Sequence, residues 1–128
     1  MDNYAHQFDI AQRFATALTT LDAEALRKVC TEDVCWTVPG DGPVGGRIDG
    51  VDGIISFQRV LGAHSVDTEV RRIFHGRDSL VALLHDSGEH DGKRLDVDLA
   101  LVLTVEEDRI SRIDGHLADV TAFARYLA

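Results

Sequence analysis

The feature that most constrains this chain is an Asp91-Gly92 pair set in a long alternating stretch of apolar and polar residues. A two-residue type I′ turn needs positive φ at both central positions, which Asp and Gly tolerate. The pair therefore predicts a hairpin with His90 opposite Lys93. Counting back puts Gly88 opposite Leu95, Asp86 opposite Val97 and Leu84 opposite Leu99 on one face. Glu89 with Arg94, Ser87 with Asp96 and His85 with Asp98 share the other. Leu95, Val97, Leu99, Leu101 and Leu103 all fall on the first face, which is thus the core face.

This register isolates Asp86, the only carboxylate it turns toward the Leu-rich face. An unpaired charge is costly there and a carboxyl pKa rises. A perturbed acid in a cavity is a candidate functional group. The alternative is a solvated or arginine-paired carboxylate at a pocket mouth. Arg72 is the expected partner, since the alternation Val70, Arg72, Phe74 puts it on the same face of the preceding strand. Such a pair either binds a substrate oxygen or neutralises itself. Its register depends on how many residues the turn between Gly76 and Ser79 holds.

Upstream the period is helical. Ile10, Phe14, Leu18 and Leu21 form an apolar stripe on a first helix, and Asp22 is placed to cap a second whose buried face is Leu26, Val29 and Cys30. Val34 to Val38 reads as a short strand stopped by Pro39-Gly40, and the glycine-rich stretch to Gly50 reads as a loop. A third helix carries Ile54, Ile55, Phe57, Val60 and Leu61 and stops at Gly62. From Val66 the alternation, broken at Gly76-Arg77-Asp78, Asp91-Gly92 and Glu106-Glu107-Asp108, predicts a meander of four strands. Val120, Phe123, Ala124 and Leu127 predict a short C-terminal helix. The fold class is α+β, with helices packed on one face of a sheet.

At 128 residues the chain is expected to form one domain, 1–128, and its 45% hydrophobic content leaves only the first few residues as candidates for disorder. Twenty-two acidic against thirteen basic side chains give a net charge of -9, which disfavours nucleic acid and anionic membranes as partners. The opening MDNYAHQFDI lacks an apolar run, so the expectation is a cytoplasmic protein with no secretory signal or membrane span. Cys30 and Cys35 form neither a redox pair nor a zinc pair. They read as reduced, buried thiols, with a nucleophilic Cys30 as the lesser alternative. The six histidines show no metal-ligand spacing and no glycine-rich loop has phosphate-binding spacing, so no metal and no cofactor is expected.

Several segments together carry a family resemblance: Leu21-Asp22-Ala23-Glu24-Ala25 opening the second helix, TEDVCWTVPG from Thr31 to Gly40, Gly46 and Gly50 before the third helix, DGKRLDV from Asp91, and EEDRI from Glu106. The chain resembles the SnoaL-like branch of the nuclear-transport-factor-2-like superfamily, which includes ketosteroid isomerases, polyketide cyclases, limonene-epoxide hydrolases and scytalone dehydratases. The resemblance implies a cone-shaped, strongly bent antiparallel sheet wrapped around about three N-terminal helices, with a pocket between them. It also implies a homodimer through the outer sheet face, which would make His85 with Asp98 and Val81 with Val102 interface or exposed pairs. A His-Asp dyad is the competing reading of the first pair.

Ketosteroid-isomerase residues transfer negatively. The general-base Asp before a proline corresponds to Val38, the oxyanion-stabilising Tyr to Phe14 and the second Asp to Leu101, so that chemistry lacks its base and both donors. The Asp-Arg-Asp set of limonene-epoxide hydrolases finds no matching motif, although Arg72 and Asp86 supply two of its parts. A SnoaL-type cyclase needs one acid or base in an apolar cavity, which Asp86 supplies. The turn at Glu106 to Asp108 decides His116. Ile113 and Leu117 favour His116 outward, whereas a two-residue turn at Glu107-Asp108 sets it against Leu99 inside the pocket as a general acid or base. Trp36 either stacks on a flat ligand or fills the cone.

Two functions follow as expectations. The first is a cofactor-free isomerase, cyclase or hydrolase acting on a small apolar or polycyclic metabolite. Asp86, Arg72 and His116 are its catalytic candidates, and Trp36, Phe14, Val38, Phe57, Leu84, Leu99 and Leu101 its lining. The second is a non-catalytic ligand-binding or dimeric accessory protein on the same fold.

Overall fold

The computed structural model of the protein describes residues 3–40 and 45–128. The part of the expected glycine-rich loop at 41–44, and the expectation for the first residues, lie outside the described residues. Among the described residues, helices α1 (Asn3–Thr19), α2 (Ala23–Val29), α3 (Gly50–Ala63) and α4 (Val120–Leu127) pack against strands β1 (Cys30–Val38), β2 (Gly46–Asp49), β3 (Asp67–His75), β4 (Ser79–His90), β5 (Lys93–Glu106) and β6 (Arg109–Leu117). The six strands form one curled, open sheet in the order β2-β1-β6-β5-β4-β3. None of the described helices is long and apolar enough to cross a membrane.

The β4–β5 hairpin has the register its turn dictates, from His90 opposite Lys93 to Leu80 opposite Leu103, with Asp91 at φ 50° and Gly92 at φ 76°. Leu80, Leu84, Leu95, Val97, Leu101 and Leu103 are consequently buried on the inner face. Removing each large side chain from water contributes about 1.5–3 kcal/mol. Ile10, Phe14 and Ala17 of α1 and Ile54 and Phe57 of α3 close the core from the other side. The side chain of Asp22 caps α2 by accepting from the N–H of Ala25, and that of Asp119 caps α4 by accepting from Ala122. Leu21 leaves the α1 stripe, since its backbone turns at φ 53° beyond the helix and its side chain is exposed.

Three expectations are corrected. Cys30 is buried but opens β1, because α2 ends at Val29. The glycine-rich stretch contains β2, an edge strand that pairs Trp36 with Ile48 and Val38 with Gly46. The sheet is mixed, because the long return through α3 and the β3–β6 meander brings β6 alongside β1 in parallel.

Two β-bulges decide which side chains face inward. In β3 the register steps from Val70 opposite Leu84 to Arg72 opposite Leu83, so Arg71 is an extra residue. In β6 it steps from Ile110 opposite Val105 to Arg112 opposite Thr104, so Ser111 is extra.

Candidate functional site

Between the inner sheet face, α1, α3 and α4 lies a cavity of about 70 Å³. A single water needs roughly 10–15 Å³, so this is more than a packing defect. Phe14, Trp36, Val38, Phe57, Leu84, Leu99 and Leu101 all line it, as does Asp86. The three positions where ketosteroid isomerases carry polar groups thus present only the hydrocarbon of Val38, Phe14 and Leu101. The aromatic end is built by Trp36, whose ring lies 6.3 Å from that of Phe14 and edge-on to Phe57 at 5.6 Å. Trp36 therefore both fills the cone and forms cavity wall. It has room because β6 carries a glycine there: a Cβ at Gly115 would come within 2.8 Å of the Thr37 carbonyl oxygen and 3.4 Å of the indole Nε1.

Asp86 is 3% exposed, and burial pushes its carboxyl above the usual carboxylate range. The hydroxyl of Thr68 donates to its Oδ1 at 2.7 Å and works against that rise. Among the described residues no arginine or lysine pairs with it. The expected partner, Arg72, is exposed on the outer face opposite Leu83. Its side chain is reversed by the extra Arg71, which interrupts the alternation that would have turned Arg72 inward. Counting without the bulge from Arg72 opposite Leu83 would set Glu69 against Asp86. With it, Thr68 takes that place and Val70 and Ile73 join the lining. The two-part Arg-Asp set expected for epoxide chemistry is therefore not assembled.

The β5–β6 turn is the two-residue form, with Glu107 and Asp108 both at positive φ. That turn alone would put His116 opposite Leu99. The extra Ser111 shifts the strand by one, so Leu117 faces Leu99 while His116 pairs with Ala100. The His116 side chain is exposed, with Nδ1 3.1 Å from the Asp114 carbonyl oxygen, while the residue is among those that line the cavity.

On the outer face His85 is held between two carboxylates, Nδ1 at 2.7 Å from Asp98 and Nε2 at 2.5 Å from Asp96. The Asp98 hydrogen bond is the main cause that raises its pKa. None of these three residues lines the cavity. Cys30, whose thiol burial pushes up to about 12, is unsuited to nucleophilic work. Among the described residues no three His, Cys, Asp or Glu side chains converge to hold a metal ion.

Sequence reasoning missed Thr68, Ala82, Gly115, Gln58 and Phe123 as cavity residues. Ala82 was already legible from the hairpin register, being opposite Leu101. Thr68 shares the alternation of Val70, but its place opposite Asp86 required the bulge, for which the sequence carries no turn signal.

A family model described as a SnoaL-like domain matches residues 11–113. No curated protein matches the chain. Among solved structures, Bal32a from a soil-derived mobile gene cassette is 20% identical with a TM-score of 0.88, covering 97% of this chain and 98% of its own. An NTF2-like protein from Burkholderia xenovorans LB400 is 19% identical with a TM-score of 0.82 and 97% coverage of both chains. A protein of Bacillus cereus ATCC 10987 assigned as a polyketide cyclase is 21% identical with a TM-score of 0.72, covering 92% of this chain and 77% of its own. At these identities the likeness is one of fold.

Proposed function

Because the chain belongs to the SnoaL-like domain family and holds one buried carboxyl in an otherwise apolar cavity, we propose that it is a cofactor-independent isomerase, cyclase or hydrolase acting on a small apolar or polycyclic metabolite by acid-base chemistry. The observation that carries this reading is Asp86, a nearly buried carboxyl with no cationic partner among the described residues, at the wall of the cavity. A domain selected for stability alone would gain by an apolar residue there. A raised pKa lets the carboxyl hold a proton more readily than an exposed aspartate does. Phe14, Trp36 and Phe57 offer a flat ligand aromatic faces and edges. The fold likeness to the Bacillus cereus protein supports the cyclase form of the reading. Arg72, with its side chain on the outer face, takes no part in it.

The reading includes a cytoplasmic homodimer formed through the outer sheet face. Half-buried Val81, Leu83, Ala100 and Val102 lie there beside Phe74, which is 48% exposed. A dimer mass in light scattering that falls to the monomer on Val102→Asp substitution supports this part, and a monomeric wild type removes it.

The test of function is capture of the ligand by native mass spectrometry of freshly purified protein, followed by incubation of the freed compound with apoprotein. Its conversion, seen by chromatography, supports catalysis. Rebinding without conversion supports a ligand-binding accessory protein instead.

A further inference from the structure

We propose that Thr68 is a positioning residue for Asp86, holding carboxyl Oδ1 as an acceptor so that Oδ2 carries the proton and meets the ligand as a hydrogen-bond donor. This rests on the reading that a ligand occupies the cavity beside Asp86.

The Thr68 hydroxyl lies 2.7 Å from Oδ1 and makes no other hydrogen bond among the described residues. Had it accepted a proton from Asp86, its own proton would be left without an acceptor inside the protein. Donating to Oδ1 satisfies the hydroxyl and leaves the carboxyl proton on Oδ2 free for a ligand. Oδ2 then has no partner among the described residues, while no buried side-chain polar atom is left unsatisfied, so Oδ2 is the carboxyl oxygen still accessible. Asp86 and Thr68 both line the cavity. An oxygen already accepting a strong hydrogen bond is the less basic of the two, so the proton resides on Oδ2.

The charged and titratable surroundings support this assignment. Asp67 on β3 favours the neutral carboxyl, and His85 on β4 opposes it from the outer face. His116 on β6 also lines the cavity, with its side chain exposed, and Asp96 and Asp98 of β5 lie on the opposite face with His85. The bulge at Arg71 completes the arrangement: it places a neutral hydroxyl, in place of the Glu69 carboxylate, directly across from Asp86.

The chemistry that suits such a donor is an uncharged ligand presenting an oxygen acceptor. The test uses the intact protein labelled with 13C at aspartate carboxyls, the Asp86 signal being assigned by its loss in Asp86→Asn. Thr68→Val should move the Asp86 titration to higher pH, and Thr68→Ser should return it close to wild type. Thr68→Ala replaces the valine variant if that one does not fold. A parallel measurement compares 2-acetylnaphthalene with 2-ethylnaphthalene by quenching of Trp36. At a pH where Asp86 is neutral the ketone should bind roughly five- to tenfold tighter, and the preference should shrink in Thr68→Val. An Asp86 titration unmoved by Thr68→Val, or not restored by Thr68→Ser, overturns the proposal, as does a ketone preference equal in all three proteins. The titration needs no ligand. A protein without turnover but with the expected titration therefore contradicts the proposed function and not the positioning role.

Discussion

Substituting Ala82 by Leu places a larger side chain directly in the cavity. Ala82 is 6% exposed, opposes Leu101 and Ile73 across the sheet, and lines the open space. Eliminating a cavity of about 70 Å³ recovers at most about 1.7 kcal/mol at roughly 24 cal/mol per Å³. Imperfect fit opposes this by about 1–3 kcal/mol. The expected stability of Ala82→Leu is therefore within about 1.5 kcal/mol of wild type. Ala17→Leu supplies the control, since Ala17 is 1% exposed in the core but does not line the cavity, and it should lose the full overpacking cost. Urea unfolding followed by Trp36, the sole tryptophan, measures both variants, and native mass spectrometry measures retained ligand. Ala82→Leu should keep its stability and lose its ligand. A loss above about 3 kcal/mol would refute the claim of free space, and undiminished ligand would refute the claim that this space is the binding site.

Other expectations concern the frame around the cavity and its pH response. A Cβ at Gly88 would collide with the Ser65 carbonyl oxygen and come within 2.8 Å of the Tyr126 hydroxyl, which donates to the His64 carbonyl at 2.5 Å. Gly88→Ala should cost about 2–6 kcal/mol from overpacking and loss of that bond, roughly 7–22 °C in Tm, and calorimetry showing less than about 2 °C would contradict the packing described. The stabilisation from His85 should be complete below about pH 6.5 and lost as pH rises through its elevated folded pKa, because the folded state holds the proton more tightly. The difference in urea midpoint between wild type and His85→Gln should therefore narrow across that window, and a difference independent of pH would count against it. Asp86 has the same sign. Wild-type stability should fall relative to Asp86→Asn as pH rises from about 3.9 through the raised pKa, which urea midpoints across pH also test.

The reach of the sequence followed the strength of its local signals. Asp91-Gly92 permits one tight turn, and every pair counted from it, Asp86 with Val97 and His85 with Asp98 included, occurs in the structure. Asp22, with an apolar stripe behind it, was equally legible as a cap. What escaped were departures from alternation. A single extra residue reverses every side chain beyond it. Arg71 and Ser111 do so without glycine or proline to mark them: counted from the strand turns, the first sets Thr68 in place of Glu69 across from Asp86, and the second moves His116 from Leu99 to Ala100. The strand β2 was hidden in a run of glycines whose pairing partner, β1, lies outside the run itself. Asp86 was found because its signal is register alone, and Thr68 was missed because its signal is register interrupted.

The central claim is that Asp86 exchanges a proton with a ligand in the cavity. Its most direct test is the turnover of the captured compound by Asp86→Asn relative to wild type, with both proteins shown to be folded and to bind it. Positioned acid-base groups contribute roughly 10²–10⁴-fold, so turnover should fall by at least about a hundredfold while binding persists. Equal turnover in the two proteins would contradict the account.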